Sequence, residues 1–179
     1  MKMLKKTASL LILLFAVLMS VSISPAGAED QDAFFENLNE NLRTKPSSLF
    51  GGLTGTEFMA GMKEKYGREQ TMALFSVMSP TVELSQEKAG EIIKFLTPEM
   101  ADNVISFYTL AMREAVSGLD KDDDPAAKKM VALIYNDLAA KYLAGDQAAV
   151  TLCDKNYGPS AKAKMTVMLR LSTLFLENS

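Results

Sequence analysis

Residues 119–130, LDKDDDPAAKKM, place Asp120, Asp122, Asp123 and Asp124 within five positions of a chain that contains no histidine. Alternating carboxylates of this kind begin the calcium loop of an EF-hand, which needs oxygen ligands at positions 1, 3 and 5, a glycine at 6 and a bidentate glutamate at 12. Counted from Asp120, the first three requirements are met by Asp120, Asp122 and Asp124, but position 6 is Pro125 and position 12 is Val131. Proline cannot adopt the positive φ of that glycine, and valine ligates nothing. The expected role is therefore structural: Asp124 caps a helix, Pro125 occupies its first turn, and the neighbouring aspartates complement the helix dipole. A weak calcium site at Asp120, Asp122 and Asp124 is the alternative; no metal site is assigned.

Nucleophiles and acids are equally sparse. Cys153 is the only cysteine, so no intramolecular disulfide can form, and without histidine the usual base for a thiolate or a serine nucleophile is missing. Its place in GDQAAVTLCDKNYG, on the apolar side of a short helix that Asp146 can cap, points to a buried residue rather than a reactive thiol. Imidazole-ligated zinc and histidine-ligated haem are excluded by composition. Carboxylate-only hydrolysis stays open as an alternative, with Glu57, Glu91 or Glu114 as the acid, but each also suits a solvated helix face. GGLTG, residues 51–55, has neither the lysine nor the spacing of a phosphate loop. The expectation is a protein that is not an enzyme and uses no cofactor.

The elements that must carry these residues begin with an export signal. Residues 1–28 combine Lys2, Lys5 and Lys6, the apolar run ASLLILLFAVLMSVSI and the small residues Ala26 and Ala28. This is the three-part plan of a secretory signal peptide cleaved after Ala28, and it predicts a periplasmic or secreted protein with no stable membrane insertion after cleavage. An uncleaved anchor is the alternative, but sixteen apolar residues are short for a hydrocarbon core of about 30 Å. No cysteine adjoins the cleavage site, so no lipid-modified N-terminus is expected. Residues 1–28 hold three of the 19 basic side chains and none of the 22 acids, so residues 29–179 carry 16 against 22, a net charge of −6. That balance repels phosphate backbones, and nucleic acid is not an expected partner.

Residues 29–179 suit one domain, and the patterning is helical throughout. Phe34, Phe35, Leu38 and Leu42 recur at helical spacing; Phe58, Met62 and Tyr66, then Met72, Phe75 and Met78, mark two more helices divided at Gly67. Ser85 and Thr97 open helices in SQEKAGEIIKFL and TPEMADNVISFYTLAMREAVSG, the second with a broad stripe of Met100, Val104, Phe107, Tyr108 and Ala111 that makes it the expected centre of the fold. The similarity between 85–96 and 97–108 reflects a shared capping and amphipathic grammar rather than a repeat. Val131, Ile134, Tyr135, Leu138 and Tyr142 mark the buried face of the helix after Pro125, with Asp137 and Lys141 paired outside. The last helix, around Met165 to Leu176, is apolar over more than one face and is expected in the core. Nine methionines follow residue 28, scattered at helix-face spacing, which suits core filling better than copper ligation.

The predicted fold is thus all-α, a compact single-domain bundle of about six to seven helices, and binding is the expected job. Two sites compete. A protein partner in the envelope would meet Leu49, Phe50 and Leu53 of the glycine-rich segment SSLFGGLTGTEF, taken as exposed, together with Asp120, Asp122 and Asp123. An apolar small molecule or lipid would instead occupy a cavity between helices at Phe107, Tyr108, Tyr135 and Met168.

Overall fold

A computed structural model describes residues 43–77, 79–80, 82–115 and 125–179. The export signal, the helix expected around Phe34 to Leu42, Met78, Gly118 and the aspartates Asp120, Asp122, Asp123 and Asp124 lie outside the described residues.

Each helix starts where the local chemistry favours a start. Thr54 accepts from the Glu57 amide while the Glu57 carboxylate accepts from the Thr54 amide, a reciprocal capping box that opens α1, Gly55–Tyr66. Gly67, at φ 84°, turns the chain into α2, Arg68–Ser76. Ser85 accepts from the Lys88 amide at 3.1 Å to begin α3, Gln86–Phe95. Thr97 accepts from the Met100 amide at 3.2 Å to begin α4, Pro98–Ala115, with Pro98 where a missing amide costs nothing. Pro125 likewise opens α5, Pro125–Leu143. Asp146 accepts from the amides of Ala148 and Ala149 to start α6, Gln147–Tyr157, and a single 3-10 turn, Gly158–Ser160, leads into α7, Ala161–Asn178. Replacing Thr54 by alanine removes the hydroxyl that accepts from the Glu57 amide and leaves only the backbone half of the capping box, and a loss of about 1 kcal/mol is expected, read as a lowered thermal midpoint.

The fold is an all-α helical bundle; among the described residues the extended backbone amounts to one antiparallel bridge between Ser47 and Leu53. One continuous apolar core runs through it. The C-terminal helix is its hub: α7 packs on α3, α4, α5 and α6, and Met165, Met168 and Leu171 are fully buried. This position explains why its sequence is apolar on more than one face. The helix expected at the centre, α4, is buried along Val104, Ile105, Phe107 and Tyr108 but shares that place with α7. Methionine fills the core as expected: Met59, Met62, Met72, Met100, Met112, Met165 and Met168 are buried.

The connection between α2 and α3 is tied to the start of α7 by two side chains. The Leu84 amide donates to Ser160 Oγ at 2.9 Å, and Lys164 Nζ donates to the carbonyl oxygen of Ser79. Lys164 also lies over the Tyr157 ring, 5.1 Å from its centroid, and is wholly buried with no carboxylate beside it among the described residues. A lysine without a counter-ion is an expensive core residue.

Candidate interaction surface

The glycine-rich loop differs from its expected exposure. Ser48–Phe50 forms a 3-10 turn, Gly51 and Gly52 at φ 64° and 87° reverse the chain, and the Ser47 to Leu53 bridge closes it. That reversal drives Phe50 inward, to 4% exposure, where it stacks on Phe58 at 4.3 Å and on Phe107 at 6.1 Å. Leu49 is partly buried against the same core, and only Leu53, at 45% exposure, faces solvent. Phe50 is therefore a core anchor and not a surface contact. Its stack on Phe107 joins residues that sequence reasoning had divided between two rival sites.

All four residues of the expected cavity are buried in one core. Phe107 meets Phe75 edge-on at 5.0 Å, and Tyr108 meets Tyr135 at 5.1 Å. Met168, on α7, belongs to the same cluster. The hydroxyls of Tyr108 and Tyr135 are buried and make no hydrogen bond. Burial holds both phenols far above the usual range, as it does the nearby Tyr157. Cys153 is also buried, and burial, with Asp154 adding to it, pushes its thiol up to about 12. A protonated, enclosed thiol is a packing residue rather than a nucleophile.

The acids considered for hydrolysis are engaged elsewhere. The Glu57 carboxylate is held below its ordinary range by hydrogen bonds from the Thr54 amide and hydroxyl, the direction opposite to that of a general acid. Glu91 is exposed and pairs with Lys88 at 3.0 Å. The Glu114 side chain lies outside the described residues. No group of three potential metal ligands occurs among the described residues.

Sequence reasoning missed the outer face of α5. Its inner face, Val131, Ala132, Tyr135, Leu138 and Ala139, is buried against the bundle. Yet Met130 at 41%, Leu133 at 52% and Leu143 at 38% are exposed on the same helix, leaving Leu53 as the one large exposed apolar residue among the described residues that lies elsewhere. Ala126, Met130, Leu133 and Ala140 follow one another at helical spacing and are all exposed, so they form a stripe along α5. Met130 is thereby the exception among the described methionines. The available signal was that α5 carries large apolar residues, Met130 and Leu133, outside the face marked by Val131, Ile134, Tyr135, Leu138 and Tyr142.

At its N-terminal end the stripe adjoins a cleft of about 500 Å³ whose lining includes Pro98, Asp102, Lys128, Lys129, Phe175 and Asn178. Lys128 pairs with Asp102 at 2.5 Å and lies over the Phe175 ring, 5.6 Å from its centroid. Lys129 is exposed and makes no ion pair among the described residues. Apolar contact along the helix is thus bordered by positive charge at one end, and Asp137 with its partner Lys141, 2.5 Å away, crosses the stripe further on. No described helix is long and apolar enough to cross a membrane. No family model, no curated protein and no solved structure matches this chain.

Proposed function

We propose that this is a binding protein of the cell envelope, exported by its N-terminal signal, that docks another polypeptide on the outer face of α5. The observation that carries the reading is the concentration of exposed Met130, Leu133 and Leu143 on one helix of an otherwise well-buried bundle. Apolar side chains held on a rigid helix can enter a partner's groove without the cost of ordering a backbone, and the polar rim of Lys129, Asp137 and Lys141 supplies direction. Native mass spectrometry of the protein recovered from its own cells tests this. A second polypeptide at fixed stoichiometry is expected, absent when Leu133→Glu is introduced while the helical circular dichroism is unchanged. Association that persists in that variant overturns the assignment of the face.

A second reading, a carrier of an apolar small molecule, is favoured by the buried, unpartnered hydroxyls of Tyr108 and Tyr135. Two phenolic donors facing no acceptor suit a ligand with a single oxygen at one end of an apolar body. It predicts, in the same spectrum, an added mass of a few hundred daltons that leaves on denaturation.

A further inference from the structure

The exposed stripe of α5 has an internal symmetry that identifies what it fits. Leu133 is its most exposed large residue at 52%. Four residues before it stands Lys129 and four after it Asp137; seven before stands Ala126 and seven after Ala140. On a helix, four residues rise about 6 Å and seven complete roughly two turns, so all of these positions share the outward face. The positions four and seven away from Leu133 read the same in both directions, small, charged, leucine, charged, small, except that the two charges are opposite in sign. Met130, three before Leu133, breaks the symmetry, since its counterpart Asn136 is half-buried and donates to Ser172 and Thr173.

We propose that the partner on this face is a second copy of the chain, with the two α5 helices antiparallel about a two-fold axis at Leu133. The proposal rests on the reading that α5 is a docking face and names its occupant. In that arrangement Leu133 meets Leu133 of the second copy. Lys129 meets Asp137 of the second copy, and Asp137 meets its Lys129, since a two-fold axis pairs residues equally spaced on either side of it. The alanines at 126 and 140 face each other across the ends, where small side chains let two backbones approach. Lys129, which makes no ion pair among the described residues, gains a carboxylate across the axis. Asp137 spends one oxygen on Lys141 and keeps the other for the crossing lysine. A parallel pair would instead set Lys129 against Lys129 and Asp137 against Asp137, which repel.

One helix face per subunit is small beside the roughly 1,200–2,000 Å² of a standard interface, so the pair is weak, with a dissociation constant on the order of micromolar. Sedimentation of the protein purified from its own cells, from sub-micromolar to sub-millimolar concentration, should show a mass rising from one chain toward two. Lys129→Glu and Asp137→Lys should each hold it at one chain. The double variant, which exchanges the two charges, should restore the dimer. Both positions are exposed, so the fold is expected to survive, as circular dichroism will report. A wild-type chain that stays monomeric throughout, or a double variant that fails to restore association, overturns the proposal. If the wild type is monomeric but a different polypeptide is held and then lost in Leu133→Glu, the docking face stands and the second copy does not. If nothing is held in either experiment, both fall.

Discussion

Phe50→Ser is expected to destabilise the bundle by about 4 kcal/mol or more, whereas Leu53→Ser, three residues away, should cost less than about 1 kcal/mol. Phe50 is buried and stacked between Phe58 and Phe107, so truncation removes an aromatic contact on each side and places a hydroxyl in an apolar space. Leu53 is half exposed at the end of the loop bridge, where serine meets water. Domains of this size are typically held by only about 5–15 kcal/mol, so the first variant forfeits a large share of its stability. Urea unfolding followed by circular dichroism measures both: the midpoint should fall sharply for Phe50→Ser and stay near wild type for Leu53→Ser. Equal midpoints would mean that the loop is not docked on the core. Loss of partner binding in a Phe50 variant would accordingly report unfolding and not a surface contact.

Stability should rise between pH 7.5 and 9 and fall steeply above 10, an alkaline optimum that originates at Lys164. Burial lowers the Lys164 amine from 10.5 to about 8. Below 8 the amine is charged in both states, and the folded state bears the cost of enclosing that charge. Between 8 and 10.5 the unfolded chain binds a proton that the folded one does not, so stability increases with pH. The difference corresponds to roughly 3 kcal/mol, reached in full only when the unfolded amine is neutral as well, above 10.5. Cys153 acts in the opposite sense from pH 9, because its folded thiol holds its proton up to about 12 while the unfolded thiol ionises. Tyr108, Tyr135 and Tyr157 add to that fall above 10, where unfolding lets their phenols ionise and folding forbids it. With no histidine in the chain, little else titrates between pH 7 and 8.5.

Lys164→Met isolates the effect. Methionine keeps the stem and removes the charge, so at pH 7 the variant should be more stable by roughly 2 kcal/mol, the relief less the lost bond to Ser79, and its rise between pH 7.5 and 9 should vanish. Thermal midpoints across pH for the two proteins provide the comparison. A wild-type curve flat over that interval, or a destabilised methionine variant, would show that the lysine is solvated in solution.

The helices and their boundaries were legible in the sequence because caps are local. Ser85, Thr97 and Asp146 satisfy amides within three residues of themselves, and Pro98 and Pro125 mark first turns through their own ring geometry, so no distant contact is required. The burial of Cys153 and the outward pair Asp137 and Lys141 followed equally from helical periodicity. Periodicity also located the inner face of α5, but it could not show that Met130 and Leu133 stay uncovered, because an apolar outer face is buried or exposed according to which helices the chain brings alongside. The Phe50 loop failed as a surface for a related reason: glycines were read as marking a solvent-facing segment, while two consecutive glycines at positive φ and a bridge fold it back onto Phe58 and Phe107. Lys164 left no trace in the sequence at all. Its spacing is that of any lysine on an amphipathic helix, and only the crossing of the Ser79 segment and the Tyr157 ring over α7 encloses it. Local hydrogen bonding and side-chain period set the all-α fold from the chain alone; which apolar and charged groups are sealed in or left outside depended on long-range packing, which a one-dimensional pattern does not encode.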